Sequence, residues 1–273
     1  MNYRHAYHAG NFADVLKHIA LVAILLHLRK KDAPFAVIDT HAGRGLYNLA
    51  EGEAAKTGEA GDGILKLKAE PQTPAAYSTY LDLAHEVGKD FYPGSPLIAA
   101  RLLRLQDRLV AIEKHEDECS ALTEALRPSR KARVVCADGY ERLNTLLPPP
   151  ERRGVVLIDP PYEAPDEFQK AAHALANAHR RFATGIYLLW YPIKSAADAD
   201  ALCGEVKANG ISRALRIELD IAAAKERPDG LHATGLLVIN PPYQFDTDMD
   251  AVLKLLAAQL GRNASASARL QAL

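Results

Sequence analysis

Residues 35–45 read FAVIDTHAGRG. Phe35 to Asp39 is a short apolar run of the kind that forms a strand buried on both faces. Thr40-His41-Ala42-Gly43-Arg44-Gly45 then supplies two glycines within three residues, which lets the backbone approach a ligand closely. An acid at the end of a buried strand, followed by a glycine turn, marks the place where a doubly wound α/β fold binds a nucleotide-like ligand. The spacing is not GxGxxG, which disfavours dinucleotide pyrophosphate. A second acid is expected at the end of the next strand, about 20 residues on, to bind ribose hydroxyls. The candidate is Glu113, 68 residues beyond Gly45. The excess is accounted for if residues 46–94, rich in Ala, Gly, Glu and Lys, form an inserted helical subdomain.

Working outward, apolar runs predict six further strands, at 109–113, 132–137, 155–159, 185–190, 212–219 and 235–240. Helical stretches lie between them at about 115–127, 139–147, 165–182, 195–208 and 246–260. Asn11 is placed to cap an N-terminal helix running to about Lys31, and Ser95 to cap another with Pro96 in its first turn. This alternation predicts an α/β domain with a seven-stranded, mostly parallel sheet covered on both faces. Gly261 to Leu273 is small and polar and reads as a frayed end. Glu113, Asp138 and Asp159 all end strands; Asp138-Gly139 is a natural contact for an adenine ring. Tyr77, Tyr80, Phe91 and Tyr92 read as the small core of the insertion.

Asp159-Pro160-Pro161-Tyr162 directly follows VVLI. Two prolines stiffen the backbone and remove two N–H donors. A carboxylate beside a rigid carbonyl can accept both N–H bonds of a planar amino group, and Tyr162 offers a face for the ring that carries the amine. Accepting those hydrogens frees the nitrogen lone pair, so catalysis would rest on positioning and electrostatics. Asn240-Pro241-Pro242-Tyr243 is a rival copy. It follows the seventh strand, which should run antiparallel and end at the opposite edge of the sheet, and this favours Asp159.

The chain has 273 residues, 48% hydrophobic and 25% charged, with a formal net charge of −1. These values fit one globular domain and exclude a disordered, fibrous or disulfide-scaffold protein. The longest N-terminal apolar run, Ile19 to Leu28, is too short to span a bilayer, and no signal-peptide cleavage pattern is present, which places the chain in the cytoplasm. Cys119, Cys136 and Cys203 are sparse and odd in number, as in a reducing compartment, and show no zinc spacing. His5, His8 and His18 lack a carboxylate or cysteine that would complete a metal site, so no metal is expected.

The stretch Tyr3 to His18, YRHAYHAGNFADVLKH, together with Asp39-Thr40-His41-Ala42-Gly43, Pro93-Gly94-Ser95-Pro96 and DPPY, resembles the bacterial 23S ribosomal RNA adenine-N6 methyltransferases over essentially the whole chain. Phe12 departs from the histidine of those sequences. The resemblance implies a Rossmann-like class I methyltransferase that uses S-adenosyl-L-methionine to methylate the exocyclic N6 amine of one adenine in 23S ribosomal RNA. It implies that His18, His41, Ser95, Glu113, Asp138, Gly139 and Asp159 line the cofactor site and that Asp159 is catalytic. Tyr3, His5 and Lys17 would belong to a substrate-facing N-terminal segment (residues 1–31), with Tyr162 stacking on the base.

A DNA adenine methyltransferase is the enzyme alternative, opposed by the lack of a separate target-recognition domain. A non-catalytic RNA-binding protein with this fold is the other, opposed by the presence of Asp159, Tyr162 and the glycine turn. Near-neutrality argues against a polyanion partner, but residues 1–31 carry Arg4, Lys17, Arg29, Lys30 and Lys31 against Asp14 alone. Phosphate contacts are therefore expected on the N-terminal segment beside the cleft. Arg127 to Arg133 reads as a solvated loop at the far end of the sheet. No long apolar seam is left over, so a monomer is expected.

Overall fold

The computed structural model describes residues 8–51, 58–222 and 231–273. In chain order the strands are β1 (Ala36–Asp39), β2 (Leu46–Asn48), β3 (Phe91–Pro93), β4 (Arg108–Glu113), β5 (Ala132–Cys136), β6 (Gly154–Ile158), β7 (Ile186–Pro192), β8 (Ala214–Asp220), β9 (Ala233–Ile239) and β10 (Ser267–Ala272). The helices are α1 (Phe12–Arg29), α2 (Ala75–Glu86), α3 (Ser95–Leu102), α4 (Glu116–Leu126), α5 (Gly139–Leu146), α6 (Glu167–Arg181), α7 (Ala196–Ala208) and α8 (Phe245–Leu260).

Eight strands form one sheet in the order β10-β8-β9-β7-β6-β1-β4-β5. Strands β7, β6, β1, β4 and β5 are parallel, and β9 runs antiparallel between β7 and β8. Alternate strand residues face opposite cores. Val37, Leu109, Val155 and Leu157 pack with α1 on one face; Ile38, Val110, Val156 and Ile158 pack with α6 and α7 on the other. The two-faced burial explains why these strands read as continuous apolar runs.

The eighth strand, β10, corrects the expectation of a frayed C-terminus. It pairs antiparallel with β8, from Ser267↔Asp220 to Ala272↔Leu215. An edge strand gains its place through backbone hydrogen bonds, and most side chains of β10 are exposed, so hydropathy carries no signal for it.

The stretch 46–94 also contains strands that were not expected. β2 and β3 pair as a three-residue antiparallel ribbon that closes its stem, Tyr47 opposite Tyr92. Its tyrosines do not form a separate core. Tyr77, Tyr80 and Tyr92 are fully buried and continuous with the α1 core, whereas Phe91 is 40% exposed. α1 is buried nearly all round because α2, α3 and α8 pack on it as well as the sheet; a helix that is apolar on every side is one with neighbours on every side. Asn11 caps it as expected, its side chain accepting from the Ala13 and Asp14 amides at 3.0 Å.

Cys119 and Cys136 form a disulfide, where the sparse, odd set of cysteines was expected to fit a reducing compartment. Cys136 ends β5 opposite Glu113 of β4, and Cys119 lies in the first turn of α4, which the chain enters just after Glu113. The Cα atoms lie 5.8 Å apart, within bridging range. Cys203 is a buried free thiol.

Candidate active site

A cleft of about 1090 Å³ opens at the carboxyl ends of the parallel strands, where open α/β sheets bind their ligands. His18, His41, Ser95, Glu113, Asp138 and Asp159 all line it, as do Lys17 and Tyr162. Tyr3 and His5 lie outside the described residues.

β1 ends beneath the cleft with Asp39, which is 1% exposed and lies behind Ser95 and Asp159 of the lining. Ser95 Oγ donates to its Oδ2 at 2.7 Å, while Oδ1 is buried with no partner among the described residues. Burial, reinforced by the charge of Asp159, pushes the Asp39 carboxyl up to about 7. Ser95 is therefore not the cap expected of it. Gly94 holds the N-cap position of α3 and no side chain caps the helix; Ser95 stands one residue further in and gives its proton to Asp39. The helix end at Gly94 and Ser95 faces the cleft uncapped, a favourable setting for an anionic ligand group.

Thr40 Oγ1 donates to Leu157 O at 2.9 Å. Its single proton is thereby used, so it accepts from His41 Nδ1, 2.8 Å away. This leaves Nε2 of a neutral imidazole as the acceptor. Burial lowers the His41 pKa to about 4, in agreement with the neutral form, and the ring meets Tyr140 edge-on at 4.9 Å.

Gly43 and Gly45 have φ of +59° and +80°, and a Cβ at Gly43 would lie 2.2 Å from the Tyr47 hydroxyl oxygen. The turn they make points the Gly43 amide at Glu113 Oε2 (2.9 Å), while the His115 amide reaches Oε1 (2.9 Å). Each oxygen keeps a further lone pair for a ligand hydroxyl. Asp138 caps α5 through the Tyr140 and Glu141 amides and takes Lys114 Nζ at 3.1 Å. Lys114 and these amides outweigh burial and hold its carboxyl below the ordinary value. Gly139 acts by its smallness: a Cβ there would sit 2.0 Å from the Thr40 carbonyl oxygen, so only glycine lets α5 start against the β1 turn.

β6 delivers Asp159 beside Asp39, since Asp39 pairs with Leu157 across the β1–β6 ladder. Lys17 Nζ lies 2.5 Å from Asp159 Oδ2 and 2.7 Å from Asp14 Oδ1. Asp14 Oδ2 in turn accepts from the Gly10 amide. Burial opposes the Lys17 ammonium, but the two carboxylates prevail and raise its pKa above the ordinary lysine value. Lys17 is 3% exposed, so it is not the phosphate contact expected of it. Arg29, Lys30 and Lys31 are at the far end of α1, near the start of β1, and do not border the cleft.

After Pro160 and Pro161, Tyr162 adopts φ of +51°, a costly conformation for a bulky residue. Its hydroxyl donates to Trp190 O at 2.7 Å, and its ring packs with Phe168 and Trp190. Asn240 ends antiparallel β9 at the opposite end of the sheet, where its amide donates to Ala183 O and Gly185 O at 2.8 Å.

His18 is held by a tyrosine of the stretch 46–94. Its Nδ1 lies 2.7 Å from Tyr92 Oη, which lies 3.0 Å from Tyr80 Oη, and the His18 and Tyr92 rings stack at 5.7 Å. The sequence reading missed Asp14 as the anchor of Lys17 and Tyr92 as the partner of His18. Asp14 left a signal: an Asp and a Lys three apart on an otherwise apolar helix are placed to pair.

The donors and acceptors fit S-adenosylmethionine. The free lone pairs of Glu113 suit ribose hydroxyls, and the uncapped start of α3 suits a carboxylate. The sheet, the glycine turn, the acids at the ends of β4 and β6 and the DPPY loop define a Rossmann-like methyltransferase that uses this cofactor. The family model described as "Ribosomal RNA large subunit methyltransferase D, RlmJ" matches residues 32–271. The chain belongs to that family. Ribosomal RNA large subunit methyltransferase J of Escherichia coli (strain K12) is 40% identical over 264 residues, covering 95% of this chain and 94% of its own length. The protein of the same name from Haemophilus influenzae is 40% identical over 269 residues, with 95% and 94% covered. A crystal structure of a Legionella pneumophila protein matches with TM-score 0.89 at 35% identity, over 97% of this chain and 98% of that one.

Proposed function

We propose that this ribosomal RNA methyltransferase modifies the N6 amine of one adenine in 23S ribosomal RNA, with Asp159 as the group that receives the amine. The observation that carries this reading is the Asp159 carboxylate held through Oδ2 by Lys17, with no partner on Oδ1 among the described residues. Bound S-adenosylmethionine supplies an electrophilic methyl group. Asp159 Oδ1 and the Pro160 carbonyl accept the two amine hydrogens, which draws the nitrogen toward tetrahedral geometry and frees its lone pair. Tyr162 stacks on the ring of a base taken out of its helix. His18, His41, Ser95, Glu113, Asp138 and Gly139 hold or shape the cofactor site; Tyr3, His5 and Lys17 serve the substrate side, Lys17 by fixing Asp159. We read residues 46–94 as a unit inserted into a single methyltransferase domain, and the enzyme as a cytoplasmic monomer whose chemistry calls for no metal.

The test incubates the protein and labelled cofactor with protein-free 23S ribosomal RNA that lacks the mark, and separately with duplex DNA. Label should enter the RNA and be recovered as N6-methyladenosine after digestion. Label in DNA but not RNA would overturn the reading.

A further inference from the structure

α1 has 18 residues, so at 1.5 Å per residue it runs about 27 Å from the cleft to the opposite pole of the molecule. There the starts of β6, β1, β4 and β5 lie side by side, with Ala36 opposite Arg108 and Gly154, and Leu109 opposite Ala132. Two inward arginines staple the loops of this pole together. Arg104 donates to the Lys31 and Ala33 carbonyls, and Arg153 to those of Ala33 and Leu28. Both guanidiniums lie over the Phe35 ring. Lys131 ties on the β5 start through Leu103 O.

This scaffold displays Arg29, Lys30, Lys31, Arg130, Arg133 and Arg152, all exposed. None forms an ion pair among the described residues. The carboxylates of the same pole do not offset them. Asp107 is buried against Arg104, Glu151 is paired with Arg108 and the exposed Glu124 with Arg127, and the exposed Asp32 lies 3.9 Å from Arg104. In a chain of net charge −1, six cations without ion pairs make this pole locally basic.

We propose that this pole is a second RNA-binding face, which takes the phosphate backbone of the same ribosomal RNA whose adenine enters the cleft. The proposal rests on the reading of the substrate as RNA. An RNA backbone is the polyanion this enzyme meets, and a long one spans the distance from cleft to pole that a short oligonucleotide does not. Phosphate contacts dominate affinity for nucleic acid, and of the four lysines that line the cleft Lys17, Lys114 and Lys170 are paired with carboxylates, which leaves Lys194 among the described residues.

The experiment combines K30E, K31E, R130E and R152E and measures the Kd for a protein-free large-subunit ribosomal RNA fragment across salt concentrations. At about 0.1 M salt the Kd should weaken at least tenfold, and the slope of log affinity against log salt should become shallower by about 3. Melting temperature and cofactor affinity should stay at wild-type values. If reversal lowers the melting temperature, the four serine substitutions give the same readout with a smaller shift. Unchanged RNA affinity and slope would overturn the proposal, as would polyglutamate binding this pole more tightly than RNA. Wild-type protein that binds the RNA at this pole but transfers no methyl to it would sink the proposed activity and leave the face standing.

Discussion

The ammonium of Lys17 bridges two carboxylates, Asp159 of the DPPY loop at 2.5 Å and Asp14 of its own helix at 2.7 Å. A lysine inside an apolar helix is thus the tether of the proposed catalytic acid. Lys17→Met leaves two buried acids facing each other without a counter-charge. Breaking a buried pair in this way costs about 3–5 kcal/mol, to be read as a lower denaturant midpoint. Adding Asp14→Asn should recover part of the loss. A Lys17→Met protein as stable as wild type would contradict the tether.

Asp159→Asn should lower kcat at least about 100-fold and leave the Kd for S-adenosylmethionine within a few fold, because a neutral amide loses the charge that draws on the amine hydrogen and the ion pair with Lys17 that fixes the side chain. Asn240→Ala should do the reverse. Its amide braces two carbonyls at the far end of the sheet, so turnover stays near normal while stability falls by about 1–2 kcal/mol. Calorimetry and initial rates on both variants separate the two roles.

Asp39 makes stability depend on pH. Its carboxyl titrates near 7 in the folded protein, pushed up by burial and Asp159, and near 4 when unfolded. Between these values the native state binds more protons than the unfolded state, so stability falls as pH rises through that window. Above about 7 the full penalty is present. Asp39→Asn removes the charge and flattens that slope, so the variant should gain on wild type between pH 5 and pH 8 in denaturant titrations. An equal difference at the two pH values would show that Asp39 is ionised throughout. Ser95→Ala deletes the hydrogen bond that holds the carboxyl down and should shift the window upward.

These groups were unequally visible in the sequence. The inner strands were legible because burial on both faces writes continuous apolar runs, and the DPPY loop because prolines after a strand have few other uses. The choice of Asp159 over Asn240 followed from strand direction alone. Elements too short or too exposed for a hydropathy pattern left no such trace: the ribbon β2–β3 has three residues a side, and the edge strand β10 buries none of its side chains fully. Ser95 was read from local capping preference, and a tertiary partner, Asp39, took its hydroxyl. The positive charges of residues 1–31 were read as one patch, yet α1 carries Lys17 into the interior and Arg29 to the opposite pole. A linear count of charge does not resolve that separation.

The stacked pair His18 and Tyr92 links the stretch 46–94 to the cofactor side of the cleft. Tyr92→Phe keeps the ring and removes the hydroxyl that orients the imidazole. Loss of one such bond is worth about 0.5–1.5 kcal/mol, so the Kd for S-adenosylmethionine should rise about 3- to 10-fold by calorimetry. The ring nitrogens of His18 should also change their ¹⁵N shifts in free protein. An unchanged spectrum with an unchanged Kd would reduce Tyr92 to packing.

The Cys119–Cys136 bridge closes a loop of 17 residues, for which chain entropy predicts about 3 kcal/mol. Under denaturing conditions the oxidised protein should show one reactive thiol, Cys203, and the reduced protein three. Reduction should lower the melting temperature, and cofactor binding should slow that reduction if the end of β5 is clamped by the ligand.

The pairing of β10 with β8 has a practical side. Cutting the chain after Leu260 would lay bare six residues of β8 backbone that β10 now covers. An open edge of that length is a template on which molecules stack side by side. β10 shields it and turns Arg269 and Gln271 outward. The last residues of the chain thus work as a guard against self-assembly, and a shortened protein should precipitate as it concentrates even though its cleft is untouched.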